Sequence, residues 1–251
     1  MVPPPPIESV PGHNTCVFYG PDQAHIHDER FGDLARDAAE LVLATVSGPG
    51  TVVDLGCGSG IFSQAMAAAG YAVVGVDLAP AMVELARAAV PDGRFMVGSV
   101  HDFVIPPAVV VAALGEVLNY ATDERAGIDA LRALAARAYD ALEPGGVFVF
   151  DVSTPGRGGP DGRRDRFHDA DDWSLGMHSI EHDGILEREI TIFIRTGDTY
   201  RRVDEHHVLR LYPEADVVAA LEDAGFQVKV RGGYADPAEF PGWRVFLCRR
   251  R

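Results

Sequence analysis

A glycine-rich turn beside a carboxylate is the part of this 251-residue sequence best suited to chemistry. Gly56, Gly58 and Gly60 stand at alternate positions directly after the apolar run that contains Asp54. Glycines leave the backbone bare where a ligand approaches closely, and the helix that follows presents unpaired N–H groups with a positive dipole end. Such a turn suits an anionic ligand group, either a phosphate or an amino-acid carboxylate.

Two acidic residues narrow the choice of ligand. The dinucleotide fingerprint is G-x-G-x-x-G, whereas this turn has G-x-G-x-G spacing and follows Asp54. A carboxylate there is unfavourable beside a pyrophosphate and favourable beside a cationic amine. Asp77 ends the next apolar run, where a carboxylate takes the ribose hydroxyls of a nucleoside. The sequence therefore predicts a nucleoside ligand that bears both an amine and a carboxylate.

Strand and helix patterns alternate along the first part of the chain, which predicts right-handed βαβ units around a parallel sheet. Five short apolar runs are typical of strands buried on both faces: Thr51–Gly56, Tyr71–Asp77, Arg94–Ser99, Ala108–Leu114 and Val147–Val152. Four segments have the helical period: Asp33–Val46, Ile61–Ala69, Pro80–Ala89 and Glu124–Leu142.

The pattern changes after Val152. Residues Ser153–Phe167 indicate a loop, and three strand-like segments follow, separated by the hairpin links Asp183-Gly184 and Gly197-Asp198. A helix, Glu214–Phe226, and two closing strands complete the chain. We predict an α/β fold with a Rossmann-like, seven-stranded, mostly parallel sheet, helices on both faces and an antiparallel three-stranded insertion. Residues 1–20 are expected to be a flexible proline-rich segment, 21–251 a single domain, and 153–211 the insertion that covers the substrate side.

Composition argues against several classes of partner. The formal net charge is −15, from 37 acidic and 22 basic residues, so nucleic acid is not expected to bind. The sequence has no secretory signal pattern, no apolar run long enough for a membrane span and three scattered cysteines, which predicts a cytoplasmic protein without a metal site. We expect a monomer or a homodimer.

Four motifs carry a resemblance to a known family. VVDLGCGSG, GVDLA, VGSVHDF and LEPGGVFVFD resemble, in this order, the successive motifs of class I S-adenosylmethionine-dependent methyltransferases. The resemblance covers residues Thr51–Val152 and implies S-adenosylmethionine as the cofactor, which has the groups expected above. The rest of the chain resembles, more weakly, small-molecule N-, O- or C-methyltransferases, including natural-product and sugar-amine enzymes.

The resemblance also implies roles for individual residues. Gly60 would pack the following helix against the first strand, and Asp77 would hold the ribose. Leu78 would lie against the adenine, and Ser99 and Val100 would contact its edge, although family members often have an acid at position 99. The cofactor-binding set is expected to be Tyr19, Asp54, Gly56, Cys57, Gly58, Gly60, Asp77, Leu78, Ser99, Val100, Leu114 and Gly115.

Residues on the substrate side follow from their places in the pattern. Glu116, Asn119 and Tyr120 come after the fourth strand and are expected either to rim the substrate pocket or to cap the local turn. Strand alternation puts Glu205 and His207 together on an apolar face, which is costly unless they are partnered or face a cleft. We predict His207 as the general base, adjusted by Glu205, with a structural histidine as the alternative.

The reaction expected from the resemblance is an in-line displacement that moves a methyl group to a small-molecule acceptor, with positioning as the main source of rate. Two alternatives remain at this point. The same fold and cofactor serve other chemistry, such as a cyclisation, or the chain is a non-catalytic binding module.

Overall fold

The computed structural model describes residues 21–235 and 240–251, so residues 1–20, Tyr19 included, lie outside it. The helices are α1 (Pro21–Leu43), α2 (Ile61–Ala68), α3 (Pro80–Ala89), α4 (Ile128–Ala141) and α5 (Glu214–Asp223). The first strands are β1 (Thr51–Leu55), β2 (Ala72–Asp77), β3 (Arg94–Val97), β4 (Ala108–Ala113) and β5 (Leu142–Ser153). The later strands are β6 (Arg163–Asp169), β7 (Trp173–His182), β8 (Ile185–Thr196), β9 (Thr199–Arg210), β10 (Gln227–Arg231) and β11 (Trp243–Arg249).

Seven strands form one sheet in the order β10-β11-β5-β4-β1-β2-β3. The five strands β5, β4, β1, β2 and β3 run parallel to one another, whereas β11 is antiparallel to both β5 and β10. This confirms the predicted seven-stranded, mostly parallel sheet. Because the chain order reverses between β1 and β4, the turns that follow these strands diverge and leave a crevice at their carboxyl ends.

Helices cover both faces of this sheet, which explains why its strands are apolar on both sides. On one face α4 and α5 pack against Phe148 and Phe150. On the other face α1, α2 and α3 pack against Val52 and Val110. Complete burial of one such side chain stabilises the fold by about 1.5–3 kcal/mol. The sheet is therefore a rigid base for the turns at its edge.

The segment between β5 and α5 forms a separate antiparallel sheet in the order β6-β7-β8-β9. It has four strands, so the prediction of three was wrong. The missed strand, β6, overlaps the segment predicted as a loop, because its sequence RRDRFHD lies at the sheet edge and has no apolar alternation. The hairpin link after β7 is confirmed, since Asp183 and Gly184 both have positive φ, 49° and 75°, as a type I′ turn requires.

Three elements begin several residues away from the predicted position. The helix α1 begins at Pro21 rather than at Asp33, α4 begins at Ile128 rather than at Glu124, and β5 begins at Leu142 rather than at Val147. The segments concerned are polar or rich in glycine, so they carry no hydrophobic period. Within the described residues, no helix combines the length and the hydropathy that crossing a bilayer requires.

The side chain of Asn119 joins the insertion to the parallel sheet. It is fully buried, and its amide nitrogen donates to the carbonyl oxygens of Ser153 at 3.0 Å and Arg210 at 2.6 Å. Its amide oxygen accepts from the Ser153 N–H at 3.0 Å. Ser153 ends β5 and Arg210 ends β9, so one side chain fixes the point where the insertion leaves the body and the point where it returns.

We expect Asn119→Ala to lower the free energy of unfolding by about 2–4 kcal/mol, because three backbone groups, the Ser153 N–H and the carbonyls of Ser153 and Arg210, lose their hydrogen bond to Asn119. Urea denaturation followed by circular dichroism measures the loss. Gln64→Ala, which truncates an exposed amide in α2, is the control and should change stability by less than about 0.5 kcal/mol. Equal stability of the two variants would contradict a joining role for Asn119.

Candidate active site

A cleft of about 630 Å³ opens where β1, β2 and β4 end. Turns after these strands line it, together with parts of α1 and the segments that follow β5 and β10. Its volume lies in the range of small-molecule sites. The predicted site residues that line it are Asp54, Gly56, Cys57, Gly58, Asp77, Leu78, Val100, Leu114, Gly115, Glu116 and Tyr120.

The turn after β1 requires its glycines. Gly56, Gly58 and Gly60 all have positive φ, at 75°, 51° and 90°. A Cβ on Gly56 would lie 2.5 Å from the side chain of Val117, so the close approach of two turns forbids any larger residue. A Cβ on Gly60 would lie 3.0 Å from the Cα of Ala86 in α3. Gly60 therefore packs against α3 rather than against the first strand, which corrects the expected contact.

Asp77 fixes the glycine turn from the neighbouring strand. One oxygen of its carboxylate accepts from the Gly58 N–H at 2.9 Å, and the other accepts from the Ala79 N–H at 2.8 Å. Leu78 stands beside it with 49% of its surface exposed, on the wall of the cleft. Asp77 thus holds the turn in its conformation and is also part of the cleft wall.

Asp54 brings a buried acid to the same cleft. It is 2% exposed, and the hydroxyl of Ser63 donates to its carboxylate at 2.7 Å. Burial raises the pKa of Asp54 to about 7, and the Ser63 hydrogen bond offsets only part of that effect. Burial also raises the pKa of the Cys57 thiol, so Cys57 contributes an uncharged wall rather than a nucleophile.

The turn after β3 differs from the expectation at one residue. Val100 lines the cleft, whereas Ser99 is buried outside it and its hydroxyl donates to Asp123. Asp123 lines the cleft, together with His101. An acid thus reaches this region from the segment before α4. Asp123 is absent from the predicted site, and its only signal in the sequence is an acidic residue directly after NYAT.

Asp151, also missed, fixes the backbone at the end of β4. This buried carboxylate in β5 accepts from the N–H groups of Gly115 at 2.7 Å and Glu116 at 2.6 Å. It also accepts from the Tyr234 hydroxyl at 2.6 Å and the Trp243 indole N–H at 3.0 Å. Burial raises the pKa of Asp151 to about 6 despite these donors. Tyr234 and Trp243 line the cleft as well, so Asp151 positions two of the side chains that form the cleft wall.

Glu116 lies in a buried ion cluster that includes two arginines. Arg188 donates to its carboxylate at 2.6 and 3.1 Å, Arg157 donates at 2.9 Å, and the Ser153 hydroxyl donates as well. Burial alone would raise the pKa of Glu116, but the two guanidiniums outweigh it and hold the pKa well below its usual value. Glu116 is therefore ionised and cannot accept a proton at neutral pH.

The predicted general base, His207, and its neighbour Glu205 lie behind the cleft rather than on its wall. The His207 Nε2 atom lies 3.0 Å from a carboxylate oxygen of Glu205, and both side chains are more than nine-tenths buried. The ring of Tyr120, which does line the cleft, stands edge-on to the His207 ring with centroids 5.5 Å apart. Asn119 is likewise absent from the lining and has the joining role described above. The catalytic role of His207 stays a prediction.

Comparisons with known proteins agree with this architecture. A methyltransferase-domain family model matches residues 52–146. The dTDP-4-amino-2,3,4,6-tetradeoxy-D-glucose N,N-dimethyltransferase of Saccharopolyspora spinosa is 28% identical over 87% of this chain and 91% of its own length.

Solved structures are similar over nearly the whole chain. An S-adenosylmethionine-dependent methyltransferase from Clostridium acetobutylicum has a TM-score of 0.77 at 20% identity, over 91% of this chain and 97% of its own. The S-adenosylmethionine-bound amino pentose methyltransferase CalS10 of Micromonospora echinaspora has a TM-score of 0.74 at 22% identity, over 95% and 100%. At such identities the likeness establishes the fold. The methyltransferase assignment rests on the matched domain and on the sequence relatives.

The chain is an S-adenosylmethionine-dependent methyltransferase with a methyltransferase domain over residues 52–146. Its cleft fits the cofactor on three structural grounds. The turn presents bare backbone to the cleft at Gly56 and Gly58, Asp54 is a buried carboxylate suited to an amine, and Asp77 faces the cleft at the end of β2. Val100 and Leu78 offer apolar surface for an adenine.

The affinity of this methyltransferase for S-adenosylhomocysteine should rise with pH because Asp54 must ionise to bind the amine. The pKa of Asp54 is about 7, so the carboxylate form is the minority at pH 6. Between about pH 6 and about pH 7.5, below the pKa of the ligand's own amine, we expect the affinity for S-adenosylhomocysteine to increase by about eightfold. Calorimetric titration measures it.

The control for this pH dependence is Asp54→Asn, which removes the titrating group. Its affinity should be weaker than that of the wild type and nearly constant over the same interval. A wild-type affinity that is flat across the interval would show that Asp54 does not bind the amine.

Proposed function

We propose that this methyltransferase modifies an amine nitrogen of a small molecule, which enters the cleft beside Gly115, Glu116 and Tyr120. The proposal rests on one observation: Asp54 and Asp77, which suit the cofactor, line the same cleft of about 630 Å³ as this second group of residues. A cleft of that size suits a small acceptor. The net charge of −15 opposes the approach of nucleic acid.

The protonation state of Glu116 and the position of His207 favour nitrogen over oxygen or carbon as the acceptor atom. S-adenosylmethionine, when bound, supplies an activated methyl group on a sulfonium. A neutral amine attacks it without prior loss of a proton, whereas a hydroxyl or a carbon acid needs a base. Glu116 is held ionised by Arg188 and Arg157 and does not take up a proton, and His207 lies behind Tyr120. The N,N-dimethyltransferase from Saccharopolyspora spinosa acts on an amino sugar, which supports the same choice.

We further propose that the insertion, residues 153–211, forms the substrate-side cover of a single domain. Arg157 and Arg166 from this insertion line the cleft. Because Asn119 and the Glu116–Arg188 pair anchor it, the cover has a defined position relative to the cofactor turn.

The proposed reaction is tested by incubating the protein with S-adenosylmethionine and a panel of small amines, with mass spectrometry as the readout. We expect one product heavier than its acceptor by a CH₂ unit, formed together with S-adenosylhomocysteine. Product mass without that increment would instead indicate a different use of the cofactor, such as a cyclisation.

Asp77→Ala should weaken S-adenosylhomocysteine binding by about a hundredfold or more, because two charge-assisted hydrogen bonds to the ligand and the support of Gly58 are lost together. Calorimetry measures the affinity, and a thermal melt shows whether the variant remains folded. Asp92→Ala, at an exposed acid after α3, is the matched control and should bind as the wild type does. Wild-type affinity in Asp77→Ala would remove the residue from the cofactor site.

His207 is proposed as a positioning residue that acts through Tyr120, with Glu205 orienting its ring. His207→Ala should keep S-adenosylhomocysteine affinity within about twofold and lower kcat by about tenfold to a hundredfold, with an altered pH profile of kcat. His206→Ala, at the next residue on the exposed face of β9, is the control and should leave both quantities unchanged. A parallel fall in affinity and kcat for His207→Ala would mean that the histidine is structural only.

A further inference from the structure

Two arginines form one wall of the cleft away from the glycine turn. Arg157 follows β5 and Arg166 lies on β6, and both line the cleft. Their guanidiniums stand over the ring of Phe240, at 5.6 and 5.0 Å from its centroid. Phe240 in turn packs edge-on against Trp243, with centroids 6.0 Å apart. Cation–π contacts with one anchored ring thus hold two like charges side by side.

The nearby carboxylate does not satisfy the hydrogen-bonding groups of Arg157. Glu116 receives two hydrogen bonds from Arg188, and Arg157 reaches it through Nε only. The Nη1 atom of Arg157 is buried and has no hydrogen-bond partner among the described residues. A buried guanidinium N–H without an acceptor is costly, so its presence beside a cleft points to a ligand that supplies an acceptor.

The strand order separates these arginines from the acidic end of the cleft. Asp54 lies on β1 and Asp77 on β2, whereas Arg157 follows β5, with β4 between β5 and β1. Adjacent strands lie about 4.8 Å apart, so the two ends of the cleft are on the order of 10–15 Å apart. The cleft is therefore acidic where the cationic cofactor binds and basic at the opposite end.

We propose that the methyl acceptor carries an oxyanion, either a phosphate ester or a carboxylate, that binds Arg157 and Arg166. This inference rests on the proposed function, since it describes the acceptor of the same cleft. The planar guanidinium matches both oxyanions with parallel N–H···O bonds. The ring of Phe240 provides an apolar surface beside the charge.

The test is a calorimetric titration of the protein saturated with S-adenosylhomocysteine, using phenyl phosphate, benzoate and the neutral benzamide as probes. We expect one or both oxyanions to bind and benzamide not to bind, and the stronger oxyanion identifies the class. Arg157→Gln and Arg166→Gln should each weaken that oxyanion by about tenfold or more. Arg202→Gln, at an exposed arginine of β9 that pairs with Asp204, is the matched control and should change nothing.

Three outcomes would overturn the inference: no binding of either oxyanion, equal binding of benzamide, or an oxyanion affinity that both cleft variants leave unchanged. If Arg157→Gln does not fold, Arg166→Gln provides the same test, because that variant leaves both Arg157 and Arg188 paired with Glu116. The affinity for S-adenosylhomocysteine, measured in each variant, separates the two proposals. If the wild type does not bind S-adenosylhomocysteine, the proposed function is refuted. A selective loss in Arg157→Gln would assign that guanidinium to the cofactor and refute the anionic acceptor.

Discussion

The buried carboxylate of Asp54 is the constraint around which the cleft is arranged. The Ser63 hydroxyl donates to it, and no cation among the described residues is near enough to hold it ionised. A buried acid in that state favours any ligand that brings a positive charge. The neighbouring features give such a ligand access to Asp54. Asp77 fixes Gly58, and the backbone of Gly56 and Gly58 lines the cleft beside Asp54.

The parallel half of the fold and most of the cofactor turn could be predicted because their signals are local. Apolar runs mark β1, β2 and β4, and glycines at alternate positions mark a turn with positive φ. The missed features depend on contacts between distant parts of the chain. Asp123 reaches the cleft by bonding Ser99 across 24 positions, and β6 is a strand only because β7 pairs with it. Strand alternation placed His207 and Glu205 on one face, but could not show that this face is buried and that Tyr120 stands between His207 and the cleft.

Glu116 shows how the body and the insertion hold each other in place. It is a non-glycine residue at φ 62°, a conformation that costs of order 1–3 kcal/mol. Asp151 accepts from its backbone N–H on the body side, and Arg188 binds its carboxylate from the insertion. The backbone conformation that places Gly115 on the cleft wall is thus stabilised from both sides. A change in the insertion would therefore affect the cleft wall without touching the cofactor turn.

The division of charge within the cleft also bears on how an amine can react although Glu116 does not take up a proton. An amine attacks only in its neutral form, and nearby cations disfavour the ammonium. Arg157 and Arg166 lie on the wall of the cleft that an acceptor would meet, and the sulfonium of the bound cofactor adds a further positive charge. The sulfonium would lower the pKa of the acceptor amine, so that its nitrogen stays unprotonated, while the two arginines would bind an oxyanion elsewhere on the same molecule and provide the binding energy. The residues that would achieve this belong to the insertion, which is why motifs in the parallel sheet reveal the cofactor and leave the acceptor unidentified.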